Sequence, residues 1–143
     1  TRVDAAARPN DRALEALADA LLSAKNPVLI AGHEIIASDA FDDAAALADT
    51  LGAHVYQQTI IDGAHFPSAH PAYMGVLTRA QAVVRERLSP YDMMVCLGAD
   101  ALKLSVYSET DPMPDGMRQI QIGQRDKELG NNYAADMALR ADV

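Results

Sequence analysis

Two of the four histidines in the chain, His65 and His70, lie close together in a segment that also contains Gly63 and two prolines. The imidazole ring changes its charge near neutral pH, so a histidine in a loop can exchange protons with a bound molecule. Residues 58–75 have neither helical nor strand periodicity, and a connection this long commonly serves function or an interface. The alternative is that the rings only order the loop by hydrogen bonding, and this is the favoured interpretation for His65.

Two glycines, Gly32 and Gly98, each end an uninterrupted apolar run. In a doubly wound sheet, a glycine at the end of a buried strand lets a dinucleotide approach the backbone. The segment after the first run reads Gly-His-Glu-Ile-Ile, which lacks the Gly-x-Gly-x-x-Gly fingerprint of such sites. Gly32 and Gly98 are therefore candidate cofactor-binding positions, with tight strand-to-loop turns as the alternative.

The remaining reactive residues have simpler interpretations. Cys96 lies inside an apolar run and is predicted to be an inert core thiol. Asp39, Asp42 and Asp43 do not have the spacing of a known calcium loop and are typical of a solvated helix start. We therefore predict no metal site in this chain.

The amino-acid composition limits the classes of partner that this chain could bind. The formal net charge is −8 and no block of lysine or arginine occurs, which argues against nucleic acid and anionic membranes. The single cysteine excludes a disulfide framework and favours a reducing cytoplasm. No apolar stretch approaches the roughly 20 residues that span a bilayer, and no signal peptide is visible.

A chain of 143 residues, half of them apolar, fits one domain with a sizeable core. Residues 1–10 are polar and include Pro9, which predicts a linker, and residues 11–143 are predicted to form the domain. The chain starts without methionine and stops directly after a strand-like segment. We therefore expect a domain taken from a longer protein.

Short apolar runs alternate with helical patterns along the domain. The first run, which follows Pro27, is continuous and is typical of a strand buried on both faces. Strands are predicted at residues 28–31, 54–57, 92–97, 118–122 and 136–140, with a weak edge strand near 73–75. Helices are predicted at residues 11–25, 38–51 and 78–89, with a brief helical turn at 125–131.

Several residues are predicted to fix the helix ends. Asp11 and Ser38 are candidate N-caps, and Thr78-x-x-Gln81 has the spacing of a capping box. Gly52 is the predicted stop of the second helix. The predicted core-facing positions include Leu22 in the first helix and Val83 in the third.

This alternation requires a parallel sheet that is covered on both faces and connected by right-handed crossovers. We predict a three-layer α/β sandwich with a mainly parallel sheet of five or six strands. The predicted strand order is 3-2-1-4-5-6, where strand 3 is the weak edge strand near residues 73–75. The fold would be Rossmann-like, of the DHS-like nucleotide-binding type.

Five segments resemble, in the correct order, the central domain of thiamine-diphosphate-dependent decarboxylases and synthases. One of them, His-Pro-Ala-Tyr-Met-Gly at residues 70–75, matches the family's His-Pro-x-aromatic-x-Gly segment. The others are residues 24–32, 47–55, 92–98 and 128–133, and the resemblance covers residues 14–143. Phe-Pro-Ser-Ala-His-Pro at residues 66–71 is most similar to the benzoylformate decarboxylase branch, because the acetolactate synthase branch usually has an acidic residue there.

The resemblance implies the non-catalytic central domain of a three-domain 2-oxo acid decarboxylase of the benzoylformate type. Such an enzyme depends on thiamine diphosphate and Mg²⁺, holds them in its first and last domains, and is a dimer or tetramer. The cofactor-binding motifs of those domains are absent here, so we expect this chain alone to bind no thiamine diphosphate and to catalyse nothing. The alternatives are an acetolactate-synthase-like carboligase, a stand-alone FAD- or ADP-binding module and a purely structural module.

The resemblance also assigns roles to single residues. It implies that His70 lies near the active site, within proton-transfer distance of the bound intermediate. Some relatives hold FAD or ADP at the sheet edge marked here by Gly32 and Gly98. Where relatives commonly have an aspartate after the fifth strand, this chain has Arg125, so an empty nucleotide site is favoured over bound FAD or ADP.

Overall fold

The computed structural model describes residues 7–143, and its central feature is one parallel sheet. Within these residues the sheet has six strands in the order β3-β2-β1-β4-β5-β6, and every neighbouring pair is parallel. The predicted fold class and strand order are therefore confirmed. The strands are β1 Pro27–Ala31, β2 His54–Gln57, β3 Tyr73–Val76, β4 Met93–Leu97, β5 Arg118–Gly123 and β6 Met137–Arg140.

Helices cover both faces of the sheet and form the outer two layers. In the described part of the chain they are α1 Asp11–Ser23, α2 Glu34–Ala37, α3 Phe41–Leu51 and α4 Gln81–Leu88. The first three pack on one face, where Leu21, Ile35 and Ala48 belong to the same apolar cluster. On the opposite face, α4 contributes Val84 and Leu88 to a second cluster. None of these helices has the length and apolarity that crossing a bilayer requires.

Strand β1 lies at the centre of the structure. All five of its residues are buried, and it pairs with β2 on one side and with β4 on the other. Its side chains alternate between the layers, so Leu29 joins the first cluster while Val28 and Ile30 join the second. The continuous apolar run in the sequence therefore reports a strand covered on both faces.

The helix starts differ from the predicted ones. Asn10, rather than Asp11, caps α1, because its side chain accepts a hydrogen bond from the Ala13 amide at 2.9 Å. Ser38 does not cap α3: it ends the short helix α2, in a segment predicted as a loop. The chain then turns through Asp39, whose φ is +55°, before α3 begins at Phe41.

The predicted capping box before α4 is also wrong. The Thr78 hydroxyl accepts from the Ala80 amide, while the Gln81 side chain accepts from the Ser108 amide at 2.7 Å. Ala80 is extended and forms a parallel bridge with Val106. Because that bridge already holds the helix start, the glutamine side chain fastens the neighbouring loop instead.

Other local predictions had mixed outcomes. Gly52 ends α3 in the left-handed conformation with φ of +60°, as predicted. Leu22 is 79 % exposed and Val83 is 37 % exposed, so both were assigned to the wrong helix face. The helical period places adjacent residues about 100° apart, so Leu22 cannot share the buried stripe centred on Leu21. Residues 125–131 form turns rather than a helix.

The predicted linker over residues 1–10 falls partly outside the described residues. Residues 7–10 precede α1 without regular structure. The Ala7 amide donates to the Asp142 carboxylate at 2.9 Å, and the Ala7 carbonyl accepts from the Asp142 amide at 2.9 Å. These reciprocal bonds fasten the start of the described chain to its end. The domain boundary at residue 11 stays a prediction.

The two cap candidates can be separated by paired substitutions. Asn10→Ala removes an acceptor for the first helical turn and should lower the free energy of unfolding by about 1 kcal/mol. Asp11→Ala removes only a charge near the helix start and an exposed ion pair with Arg8, and should cost about 0.5 kcal/mol or less. Urea denaturation of both variants measures the difference. A larger loss for Asp11→Ala would return the cap to that residue.

Candidate functional site

The carboxyl edge of the sheet is the usual place for a ligand in this architecture. The strand order reverses between β1 and β4, and a doubly wound sheet binds ligands in the crevice at this switch point. Here the two strands stay joined beyond their ends. The Gly32 amide donates to the Leu97 carbonyl at 3.0 Å, and the Glu34 amide donates to the Gly98 carbonyl at 3.3 Å. These two hydrogen bonds hold the segments after β1 and β4 together, so the crevice is narrow at its base.

The two glycines predicted from sequence lie at this base. A Cβ atom on Gly32 would collide with the Gly98 carbonyl oxygen and with the Ala99 Cα, so the two backbones touch there. Gly98 has a φ of +55°, and a Cβ on it would collide with the Cβ of Glu34. Close packing and a left-handed turn thus account for both glycines. A nucleotide contact at either position stays a prediction.

Glu34 occupies the space above these glycines. Glu34 is 5 % exposed, and each of its carboxylate oxygens accepts a hydrogen bond. Oε2 accepts from the Gln124 amide at 2.8 Å, and Oε1 accepts from Arg125 Nε at 3.1 Å. A Cβ on Gly123 would lie 2.9 Å from Oε2, so this glycine also makes room for the carboxylate. The crevice is filled by a side chain of the protein itself.

Further ion pairs extend from Glu34 across the mouth of the crevice. Arg125 Nη2 lies 2.5 Å from Asp100 Oδ1, and Lys103 Nζ lies 2.7 Å from Asp100 Oδ2. Glu128 completes the group, 3.8 Å from Lys103 and 4.0 Å from Arg125. We call these five residues the crevice network. It contains three carboxylates and two cations, and it joins the segments that follow β1, β4 and β5.

The network favours the charged forms of Asp100, Lys103 and Arg125. Burial opposes the charge of Asp100, but hydrogen bonds from Lys103 and Arg125 outweigh it, and the pKa of Asp100 lies below its usual range. The hydrogen bond to Asp100 raises the pKa of Lys103. Burial alone would lower the pKa of Arg125, but its bonds to Glu34 and Asp100 raise it. Near neutral pH these three side chains are therefore fixed charges.

Four members of this network were given no role in the sequence analysis: Glu34, Asp100, Lys103 and Glu128. The fifth, Arg125, was noticed only as a departure from the pattern of its relatives. A usable signal existed for Glu34, because it is a charged residue directly before two isoleucines and only three residues after the central strand. Asp100 and Lys103 sit in a loop whose path the sequence pattern does not predict.

His70, the predicted catalytic residue, lies at the opposite edge of the sheet. The carbonyl of Ala72 accepts from the Val55 amide at 2.8 Å, which places this loop beside the start of β2. Asp49, in the last turn of α3 before β2, lies 3.4 Å from His70 Nε2. His70 and the crevice glycines therefore border opposite ends of the strands, and the structure does not bring them together.

The His70 ring is engaged inside the domain. Nδ1 accepts a hydrogen bond from the Ala72 amide at 3.2 Å, and Nε2 lies 3.4 Å from the Asp49 carboxylate. The ring also packs edge-to-face on Phe66, with 5.3 Å between centroids. These contacts support the loop-ordering alternative for His70. The proton-transfer role is not tested by this geometry and stays a prediction.

His65, for which loop ordering was the favoured interpretation, is fully buried. Its Nε2 lies 2.6 Å from Asp62 Oδ1, and its amide donates to the Gln57 side chain at 3.1 Å. The bond to His65 lowers the pKa of Asp62 below its usual value. Both contacts hold the loop that follows β2 against the sheet.

The whole chain is similar to one enzyme family. A family model described as thiamine pyrophosphate enzyme, central domain, matches residues 14–143. Benzoylformate decarboxylase of Pseudomonas aeruginosa is 27% identical over 99% of this chain and 28% of its own length. Sulfoacetaldehyde acetyltransferase of Castellaniella defragrans is 30% identical over 83% of this chain and 20% of its own length.

A solved structure supports the same relationship. The thiamine diphosphate-dependent 4-hydroxybenzoylformate decarboxylase of Rhodococcus jostii RHA1 superposes with a TM-score of 0.91. It is 27% identical and is matched over 99% of this chain and 27% of its own. The chain thus spans about a quarter of the length of these decarboxylases.

The role of His70 in holding its loop can be tested by comparing the free energies of unfolding of variants. His70→Ala removes an acceptor for the Ala72 amide and the contact with Phe66, and should lower the free energy of unfolding by about 1–2 kcal/mol. His70→Asn keeps an acceptor near the Nδ1 position and should cost less. Asp49→Ala, at a side chain 70% exposed, should stay within about 0.5 kcal/mol of the wild type. Equal stabilities in urea denaturation for all four proteins would remove the structural role.

The crevice network predicts a defined pH dependence. Because the pKa of Asp100 is lower in the folded state than the roughly 3.9 of an unfolded chain, its stabilisation is complete above that value. The stabilisation is lost as the pH falls through the folded-state pKa. Asp100→Asn should therefore lower the free energy of unfolding at pH 7 by about 1–2 kcal/mol, with the difference shrinking below about pH 4.

A matched control exists for this measurement. Asp115 pairs with Arg85 at 3.0 Å but is 95% exposed, so Asp115→Asn should change stability by less than about 0.5 kcal/mol at any pH. Urea denaturation of the wild type and both variants between pH 7 and pH 3.5 tests this. A loss for Asp100→Asn that is independent of pH would contradict the ionic origin of the stabilisation.

Proposed function

This chain belongs to the thiamine pyrophosphate enzyme family, whose central domain it matches, and we propose that it serves a 2-oxo acid decarboxylase of the benzoylformate type. The observation that carries the proposal is the similarity to benzoylformate decarboxylase over nearly the whole chain. The close superposition on a 4-hydroxybenzoylformate decarboxylase supports it further. The substrate would be an aryl 2-oxo acid, and the reaction would release CO₂.

The described residues do not fit thiamine diphosphate or its metal ion. The crevice that could take a diphosphate is filled by Glu34, whose oxygens already have donors. Within residues 7–143, no three His, Cys, Asp or Glu side chains are grouped so that they could hold a metal ion. We assign thiamine diphosphate and Mg²⁺ to other domains of the complete protein. There the cofactor would supply the electron sink for decarboxylation.

The proposed task of this chain is to hold those domains in position. Its charged groups at the carboxyl edge pair with one another, which suits a rigid support better than a reacting site. Three isoleucines near this edge, Ile36, Ile60 and Ile61, are 46–50% exposed and offer apolar area to a neighbouring domain. The partners would be the preceding and following domains of the same protein, in a dimer or tetramer.

An acetolactate-synthase-like carboligase is the second candidate. The similarity to an acetolactate synthase of Mycobacterium leprae, which is 26% identical over 95% of this chain and 22% of its own length, favours it. A stand-alone FAD- or ADP-binding module is a third candidate, but the filled crevice counts against it. A purely structural module is the fourth.

A turnover assay and a nucleotide-binding measurement together separate the first three candidates. The complete protein encoded by the gene is supplied with thiamine diphosphate and Mg²⁺, and CO₂ release is followed with benzoylformate and with pyruvate. We expect cofactor-dependent turnover with benzoylformate that yields the aldehyde. Condensed or acetyl-transfer products from pyruvate would favour the carboligase. Absence of thiamine-dependent turnover, together with tight FAD or ADP binding by this chain, would favour the binding module.

The same assay tests His70. If it only orders its loop, His70→Ala in the complete protein should keep kcat within about fivefold of the wild type while the protein becomes less stable. A proton-transferring group is worth about 100-fold or more. His70→Asn is the matched control, because it keeps the loop acceptor but cannot transfer a proton near neutral pH. A 100-fold loss in both variants, with normal folding, would assign proton transfer to His70.

A further inference from the structure

The crevice network resembles an anion-binding site in which the anion is a side chain of the protein itself, the carboxylate of Glu34. One backbone amide and one guanidinium bind separate oxygens of the Glu34 carboxylate, at 2.8 Å and 3.1 Å. A guanidinium and a main-chain N–H aimed at the two oxygens of one group are the donors that proteins use for carboxylates and phosphates. Glu34 therefore occupies the position of a bound oxyanion.

The backbone around the carboxylate is shaped for this occupant. A side chain at Gly98 would displace Glu34 at its Cβ, and one at Gly123 would press on Oε2 from 2.9 Å. Gly32 lets the chain cross close above β4 and turn Glu34 inward. Glycines at the ends of three neighbouring strands thus create a space with the width of one carboxylate. Removing the side chain of Glu34 would leave that space empty.

The donors would remain in place without Glu34. Arg125 is also held by Asp100 at 2.5 Å, and Asp100 is held by Lys103 at 2.7 Å. The Arg125 side chain is 39% exposed, so a small ion can reach the crevice from solvent. Without Glu34, the network changes from three carboxylates and two cations to two of each. The loss of one negative charge makes the site more favourable for an incoming anion.

We propose that the crevice at the switch point is a binding site for one small carboxylate or oxyanion, and that Glu34 is its resident. In the wild type the site is closed to anionic ligands, including the phosphate of a nucleotide. In the absence of the Glu34 side chain it accepts a free carboxylate. This proposal stands on the geometry of this chain and is independent of the reaction proposed above.

Formate rescue tests the site. Glu34→Ala opens the space, whereas Glu34→Gln keeps it filled by a neutral group of the same shape. Each variant and the wild type, as full 143-residue chains, are melted in 100 mM sodium formate and in 100 mM sodium chloride. We expect formate to raise the melting temperature of Glu34→Ala by about 3 °C or more over chloride. For the wild type and for Glu34→Gln, the melting temperature of each protein should differ by less than about 1 °C between formate and chloride.

Two results would overturn the proposal. One is an equal response of all three proteins to formate and chloride, which would mean that removing Glu34 opens no site. The other is saturable heat when inorganic pyrophosphate is titrated into the wild type, which would mean that Glu34 does not close the crevice. The pyrophosphate titration uses the unaltered chain, so it can contradict the proposal even where Glu34→Ala does not fold.

Discussion

The position of β1 between two parallel neighbours is the constraint on which the rest of the structure depends. Its backbone is paired on both edges and its side chains are buried on both faces, so it leaves no freedom in register or direction. Every other strand adds outward from it, and the helices fill the layers that its alternating side chains define. Its end also fixes where the following residues go, since Gly32 must cross over β4 and Glu34 must then enter the crevice.

Two groups of residues lie at opposite ends of the strands of the parallel sheet. At the carboxyl edge, Glu34 and its partners form a closed set of charges. At the amino edge, His70 is held by Ala72, Asp49 and Phe66 and fastens the long connection between β2 and β3. In each group the polar and charged side chains pair with one another or with the backbone of this chain.

Much of the fold could be predicted from the sequence because buried parallel strands have a plain signature. Continuous apolar runs predicted β1 and β4 to within one residue, and the alternation with helices led to the correct strand order. The helix ends were less predictable. Ser38 and Thr78 belong to residue types that commonly cap helices, but here Ser38 ends α2 and the Thr78 hydroxyl accepts from the Ala80 amide. The site was the least predictable part. Glu34 meets Arg125 only because strands far apart in sequence end side by side, and no local pattern encodes that meeting.

The crevice network also has a consequence for how this chain meets other surfaces. It ties the segments after three strands into one piece, so their backbone entropy is lost during folding. An interface that forms at this edge does not have to order those loops again, and more of its contact energy remains for affinity. The ion pairs thus act as preorganisation: the carboxyl edge of this chain presents any neighbouring domain with a surface that is already set.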